Sequence, residues 1–145
     1  MTLEGEITVF LRAVGAQIMS PEYVELLALA GPLMESQREH RGGAEWEYQT
    51  FPRNGVTLQF KDAVLVGALI PLVSIDGEPA YPSPDELISG LVLPASRAQV
   101  ASVLGVARRS AQDLDLYLEG DRYLRFDFTE DRSTYLTVVL PGVEV

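Results

Sequence analysis

The chain predicts an α+β protein: two tandem helix-plus-antiparallel-strand repeats forming one twisted sheet, with the helices on one face. Three observations predict it. A Ser-capped, apolar-striped segment occurs twice, as Ser20-Pro21-Glu22-Tyr23-Val24-Glu25-Leu26-Leu27 and as Ser96-Arg97-Ala98-Gln99-Val100-Ala101-Ser102-Val103, with Val24 matching Val100 and Leu27 matching Val103. Each segment is followed by runs of alternating apolar and polar residues, the period of a half-buried strand. Short turns join those runs, and only antiparallel neighbours permit such turns. One such unit leaves a face uncovered, and a second copy supplies the cover. The boundaries read 1–75 for a first repeat with an extra amino-terminal helix, 76–86 for a linker, and 87–145 for a second repeat.

Taken in order, Glu6 to Ala16 carries Ile7, Phe10, Leu11 and Val14 on one helical face, with Gly15 where a C-cap belongs. Ser20 caps a second helix with Pro21 at its first position, where the missing N–H costs nothing. Val24, Leu27 and Leu29 are its expected buried residues, and Gly31-Pro32 stops it. Leu33 to Gly43 is polar and charged and reads as a loop. Three strands follow. Glu45 to Phe51 places Trp46, Tyr48 and Thr50 on one side, toward the helices, and Pro52-Arg53-Asn54-Gly55 is hairpin chemistry. Val56 to Lys61 points Val56, Leu58 and Phe60 inward, and Ala63 to Val73 is a longer apolar strand. Asp76 to Pro84 is proline-rich and suits a junction between repeats.

The second unit repeats the order helix, strand, strand, strand. Ser96 with Gln99 three residues on is a capping box, Val100, Val103 and Leu104 face the core, and Gly105 closes the helix. Leu114, Leu116 and Leu118 form one strand face, Leu124, Phe126 and Phe128 the next, and Leu136, Val138 and Leu140 complete the inward set. Gly120-Asp121 and Glu130-Asp131-Arg132-Ser133 are the turns between them.

Composition narrows the function classes. With 47% hydrophobic residues in 145, the chain has material for a real core and no signature of disorder. It holds no cysteine, so disulfides and thiolate metal sites are excluded. Ala63 to Val73 is too short to span a membrane, and the amino terminus carries acid where a signal peptide carries base. A soluble cytoplasmic protein is expected. The formal charge of −10, from 11 basic and 21 acidic residues, disfavours nucleic acid and anionic membrane and favours a basic protein partner.

Gly90 to Gly105 is a Gly-hydrophobic stretch leading to a Ser-capped helix that ends in Val100-x-x-x-Leu104-Gly105. It resembles the motif of the outer-membrane-assembly lipoprotein family of BamE and of the tandem-repeat beta-lactamase inhibitory protein family. The wider pattern, with Phe10-Leu11-Arg12-Ala13 leading the first unit and Tyr81-Pro82-x-Pro84 before the second, resembles bacterial cytosolic proteins of toxin–immunity loci. The chain departs from the motif where Val106-Ala107-Arg108-Arg109 replaces the usual proline, and it has no lipidation cysteine. The resemblance implies the fold more than a function, since folds of this kind host several binding roles, and the lipoprotein role does not carry over.

Catalytic signals are poor, and an enzyme using carboxylates such as Asp127 and Glu119 is the least favoured of three readings. The single histidine, His40, lies in a polar stretch, and no nucleophile elbow, phosphate-cradling loop or zinc pattern occurs. Asp113, Asp115, Glu119 and Asp121 miss the calcium-loop spacing and alternate with leucines, as a solvated strand face does. Neither cofactor nor metal is expected. The candidate site is a surface. If the leucine and phenylalanine stripes face the helices, parity puts Asp115, Tyr117, Glu119, Tyr123, Arg125, Asp127 and Tyr135 on the opposite face, joined by Glu47 and Gln59 from the first unit. Tyrosine and arginine bury much area with a polar tip, which suits an interface. The expectation is a non-catalytic cytosolic inhibitor of the immunity type, occluding a basic toxin or effector enzyme with an acidic, tyrosine-bearing face. The alternative is a structural or homodimeric scaffold using the same face.

Overall fold

Turn geometry decides the architecture. The computed structural model describes residues 3–143. Across Gly42-Gly43, Asp62-Ala63, Gly120-Asp121 and Glu130-Asp131 the flanking residues pair directly: Arg41 with Ala44, Lys61 with Val64, Glu119 with Arg122, and Thr129 with Arg132. Three of these turns have positive φ at both central residues, 60° and 78°, 49° and 67°, 52° and 58°. That backbone has the twist of the paired strands it joins.

The elements are α1 (Ile7–Ala13), α2 (Pro21–Ala30), β1 (Glu35–Arg41), β2 (Ala44–Thr50), β3 (Thr57–Lys61), β4 (Val64–Pro71), α3 (Arg97–Leu104), β5 (Arg109–Ser110), β6 (Leu114–Glu119), β7 (Arg122–Thr129) and β8 (Arg132–Val139). They form an α+β protein with one eight-stranded antiparallel sheet, in the order β1-β2-β3-β4-β8-β7-β6-β5. The two halves meet where β4 pairs with β8, from Gly67 opposite Val139 to Pro71 opposite Tyr135. Both closing hairpins share one irregularity. Two pairs beyond the turn the register slips by one residue, between Gln59 and Phe60 in β3–β4 and between Asp127 and Phe128 in β7–β8. A bulge of this kind adds local twist and bend.

The helices lie on one face, over a single cluster that includes Ile7, Phe10, Leu26, Leu58, Phe60, Ile70, Phe126 and Val138. Ser20 caps α2 by accepting from the Tyr23 amide, and the capping box of Ser96 and Gln99 forms as the sequence predicts. At α1, where no side chain caps the helix, the amides of Glu6 and Ile7 donate to the carbonyls of Glu86 and Leu87, each at 2.8 Å. Gly5 makes that contact possible: its φ is 115°, and a Cβ there would sit 2.4 Å from the Leu87 carbonyl oxygen. The segment 76–86, expected as a linker, is therefore packed into the fold, with Tyr81 buried and its hydroxyl donating to Glu6 at 2.8 Å.

Four expectations are corrected. Residues 35–41 form a strand rather than a loop; β1 is an edge with every side chain exposed, so it shows no apolar stripe, and its charges protect the open edge. With β5, each half has four strands rather than three. In α2 the buried residues are Tyr23, Leu26 and Ala30, with Leu27 and Leu29 partly buried, while Val24 is 51% exposed. The helix turns this way because the Tyr23 ring meets Phe60 edge-on at 5.6 Å and its hydroxyl reaches Gln49. The fourth correction, strand parity in β2 and β6, bears on the site.

Candidate functional site: the uncovered sheet face

Residues directly opposite in an antiparallel pair share a face, so the register assigns every side chain. On the helix side Gln49 opposes Leu58, Glu47 opposes Phe60, Tyr117 opposes Leu124 and Asp115 opposes Phe126. On the other side Trp46 opposes Lys61, Tyr48 opposes Gln59, Leu116 opposes Arg125, Leu118 opposes Tyr123 and Asp127 opposes Tyr135. Tyr123, Arg125, Asp127, Tyr135 and Gln59 thus lie on the uncovered face, as expected. Asp115, Tyr117, Glu119 and Glu47 turn toward the helices instead, and Trp46, Tyr48, Leu114, Leu116 and Leu118 take the uncovered side. The reason is arithmetic. A two-residue turn at Gly120-Asp121 pairs 119 with 122, so 117, not 116, must oppose Leu124.

Two of the misplaced acids, Asp115 and Glu47, have structural partners. Asp115 is 2% exposed and accepts from Arg97 of α3 and from the Ser110 hydroxyl, each at 2.5 Å. Arg97 also donates to the Gln112 carbonyl and lies over the Phe128 ring, 4.9 Å from its centroid. Under α2 the matching place holds a chain of hydrogen bonds: the Tyr23 hydroxyl donates to Gln49 at 2.8 Å, and Gln49 donates to Glu47 at 2.7 Å. Burial pushes the phenols of Tyr23 and Tyr117 above their ordinary range, with the carboxylates of Glu47 and Asp115 adding to the effect. These groups pin helices to the sheet and are withdrawn from any partner.

The uncovered face is concave. Thr137, Val139 and Gln59 on its floor are 3%, 5% and 6% exposed, though no helix covers them. One end is roofed by residues 73–80, held down where Gly55 lets the chain pass: a Cβ at Gly55 would stand 2.4 Å from the Pro79 carbonyl oxygen. That end is lined by Leu69, Pro71, Ile75 and Tyr135, with Glu78 and Asp127. At the other end, two concavities adjoin at Gly142 and Val143. One, of about 500 Å³, holds Arg109, Leu114, Leu116, Tyr123 and Arg125, and the second holds Arg41, Trp46 and Lys61. Trp46 stacks on Tyr48, with the Arg41 guanidinium 4.4 Å and the Lys61 ammonium 5.7 Å from its ring centroid.

Sequence reasoning missed Trp46, Tyr48, Leu114 and Leu116 as site residues. The signal that finds them is turn length, which fixes parity independently of hydrophobicity. His40, with Nδ1 2.6 Å from a Glu45 carboxylate oxygen, sits exposed on edge strand β1, with no hydroxyl or thiol nucleophile bonded to it. Among the described residues no cluster of three or more His, Cys, Asp or Glu side chains could hold a metal ion, and no helix is long and apolar enough to cross a membrane. Comparison with protein-family models, with curated proteins and with solved structures finds no match to this chain.

Proposed function

We propose that the protein is a non-catalytic binding module of the cytosolic immunity type, built from two copies of one helix-and-four-strand unit, which covers a protein partner with the uncovered face of its sheet. The observation that carries the binding reading is the mismatch between the two sides of that sheet. An antiparallel sheet facing water is ordinarily polar on its open side. Here the open side presents Leu114, Leu116, Leu118, Trp46, Tyr123 and Tyr135 around a concave floor, and exposed apolar surface of that kind marks interaction sites. The duplication is supported by the identical closing hairpins, each with two turn residues, two pairs and then a bulge on the same strand. The immunity-type role is supported by the wider pattern, Phe10-Leu11-Arg12-Ala13 leading the first unit and Tyr81-Pro82-x-Pro84 before the second, which resembles proteins of toxin–immunity loci.

The partner is tested by capture with the wild-type chain and with the double variant Trp46→Ala/Tyr123→Ala, followed by footprinting of the complex. Capture lost in the folded double variant, with protection confined to the open face, supports the reading. Protection on the helices or on β1 overturns it. The scaffold alternative uses the same face between two copies; light scattering across a concentration series separates a concentration-dependent dimer from a monomer awaiting a different protein.

A further inference from the structure

We infer that the open face takes an acidic-apolar segment of its partner, seated in the twin concavities around Gly142 and Val143. This rests on the binding reading above and names the chemistry of what binds. It also replaces the basic partner that net charge suggests. Among the described residues the two concavities are lined by Arg41, Lys61, Arg109 and Arg125, four of the chain's 11 basic residues, and by no acidic one. A chain of net charge −10 has therefore gathered cations at this end of the open face, with Glu39 beside Arg41 and Asp127 beside Arg125 at its margins. Of the acids expected there, Asp115 is buried against Arg97 and Glu119 opposes Arg122 on the helix-side parity, while Asp127 stays on the open face against Arg125.

Three of the cations keep donors free, while Arg41 is paired with Glu39 of the same strand at 3.0 Å. Lys61 and Arg109 make no ion pair among the described residues. Arg125 gives only its Nε to Asp127, at 2.7 Å, which leaves both terminal nitrogens of its fork for a carboxylate. Between the cations the walls are apolar, with Leu114, Leu116 and Val139 in one concavity and Trp46 in the other. Leucine-lined walls fit aliphatic side chains, whereas a nucleic-acid strand asks for successive aromatic platforms along a basic track. The acids on the rest of the surface would repel a polyanion, but not a short segment whose few carboxylates meet these four cations.

The test uses three fluorescent decapeptides of alternating sequence, Asp-Leu, Lys-Leu and Asp-Ser, with a dT10 oligonucleotide as a fourth probe, followed by polarisation against the full chain. Asp-Leu is expected to bind at least tenfold more tightly than the other three, with affinity falling as salt rises. Lys61→Glu/Arg109→Glu, two exposed side chains whose reversal leaves the fold intact, should weaken Asp-Leu at least tenfold. Equal affinity for Lys-Leu, tighter binding of dT10, no binding of any probe, or indifference to the double reversal would overturn the inference. If a protein partner is captured on this face while the peptides show no charge preference, the binding reading stands and this inference falls. If Asp-Leu binds as described but no protein protects the face, the inference stands and the proposed function falls.

Discussion

In β2 and β6 the two faces of the sheet invert what hydrophobicity alone predicts. The covered face buries Asp115, Gln49 and Ser133 among phenylalanines, and the open face exposes a leucine stripe. Each buried polar group is answered: Asp115 by Arg97 and Ser110, Gln49 by Tyr23 and Glu47, and Ser133 by the Ala95 amide at 2.8 Å. A polar residue can therefore sit inside if its partners are built in, and an apolar one can stay outside if something else is to cover it. In these two strands the faces are distinguished by which residues oppose which, not by how apolar they are.

The largest effect expected is at Phe126. Its ring is fully buried, with Tyr117 edge-on at 5.9 Å and Phe128 stacked at 6.5 Å. Phe126→Ala removes that burial and leaves a cavity, so unfolding in urea should show a loss of about 3–5 kcal/mol. A loss under about 1 kcal/mol would mean that the covered face is not the core, and the comparison of faces would collapse.

Next is Asp115→Ala. Removing one member of a buried ion pair strands the other, which typically costs about 3–5 kcal/mol. The Arg97 side chain is 31% exposed, so water takes over part of the lost interaction and the expected loss is roughly 1–3 kcal/mol. Asp127→Ala on the open face is the control. Its bond to Arg125 joins side chains that are each about a third exposed, at 33% and 31%, so the change should stay near 0–1 kcal/mol. Equal losses at Asp115 and Asp127 would erase the distinction between a structural acid and a surface one.

These contrasts show how far the sequence was legible. The class, the caps at Ser20 and Ser96, the inward set of Leu58, Phe60, Leu124, Phe126, Leu136 and Val138, and the antiparallel order all follow from periodicity and turn residues. Strand β1 was illegible because an edge strand solvated on both sides carries no apolar period. Three of the nine expected site residues, Asp115, Tyr117 and Glu119, were misassigned because Leu114, Leu116 and Leu118 form a cleaner stripe. The turn at Gly120-Asp121 held the correction, since an even turn makes paired positions sum to an odd number. The buried Tyr23 was hidden because its hydroxyl partner, Gln49, lies 26 residues away.

A pH series sharpens the comparison from the covered side. Burial, and then the carboxylate of Glu6 that its hydroxyl meets, holds the Tyr81 phenol well above its ordinary range. Its folded pKa exceeds the unfolded one, so above about pH 10 the unfolded state holds fewer protons and stability falls as pH rises. The contribution is whole below that pH and is lost toward the folded pKa. Urea midpoints measured from pH 8 to pH 11 should fall over the alkaline limb. Tyr81→Phe should lose roughly 0.5–1.5 kcal/mol at pH 8, because the hydrogen bond to Glu6 goes, and then decline less steeply. An alkaline limb of unchanged slope would place the Tyr81 hydroxyl in water.

The smallest stability effect belongs to the residue that the sequence pattern places most firmly inside. Leu116 is half-buried on the open face, opposite Arg125, and its neighbour Tyr117 is 4% exposed on the covered one. One step along a strand changes the face, so the pair Leu116→Thr and Tyr117→Thr tests the register with a single kind of substitution. Threonine keeps the β preference in both, so backbone propensity largely cancels. Tyr117→Thr should cost about 2–4 kcal/mol, because it strips the edge contact to Phe126 from the core. Leu116→Thr should change stability by no more than about 1 kcal/mol, since its side chain has no enclosing core to leave empty. Its effect should appear in binding instead, where losing an apolar wall between Arg109 and Arg125 weakens capture of whatever seats there. If Leu116→Thr unfolds the protein and Tyr117→Thr does not, β6 is rotated by one residue, the leucine stripe is core, and the open face passes back to Asp115, Tyr117 and Glu119.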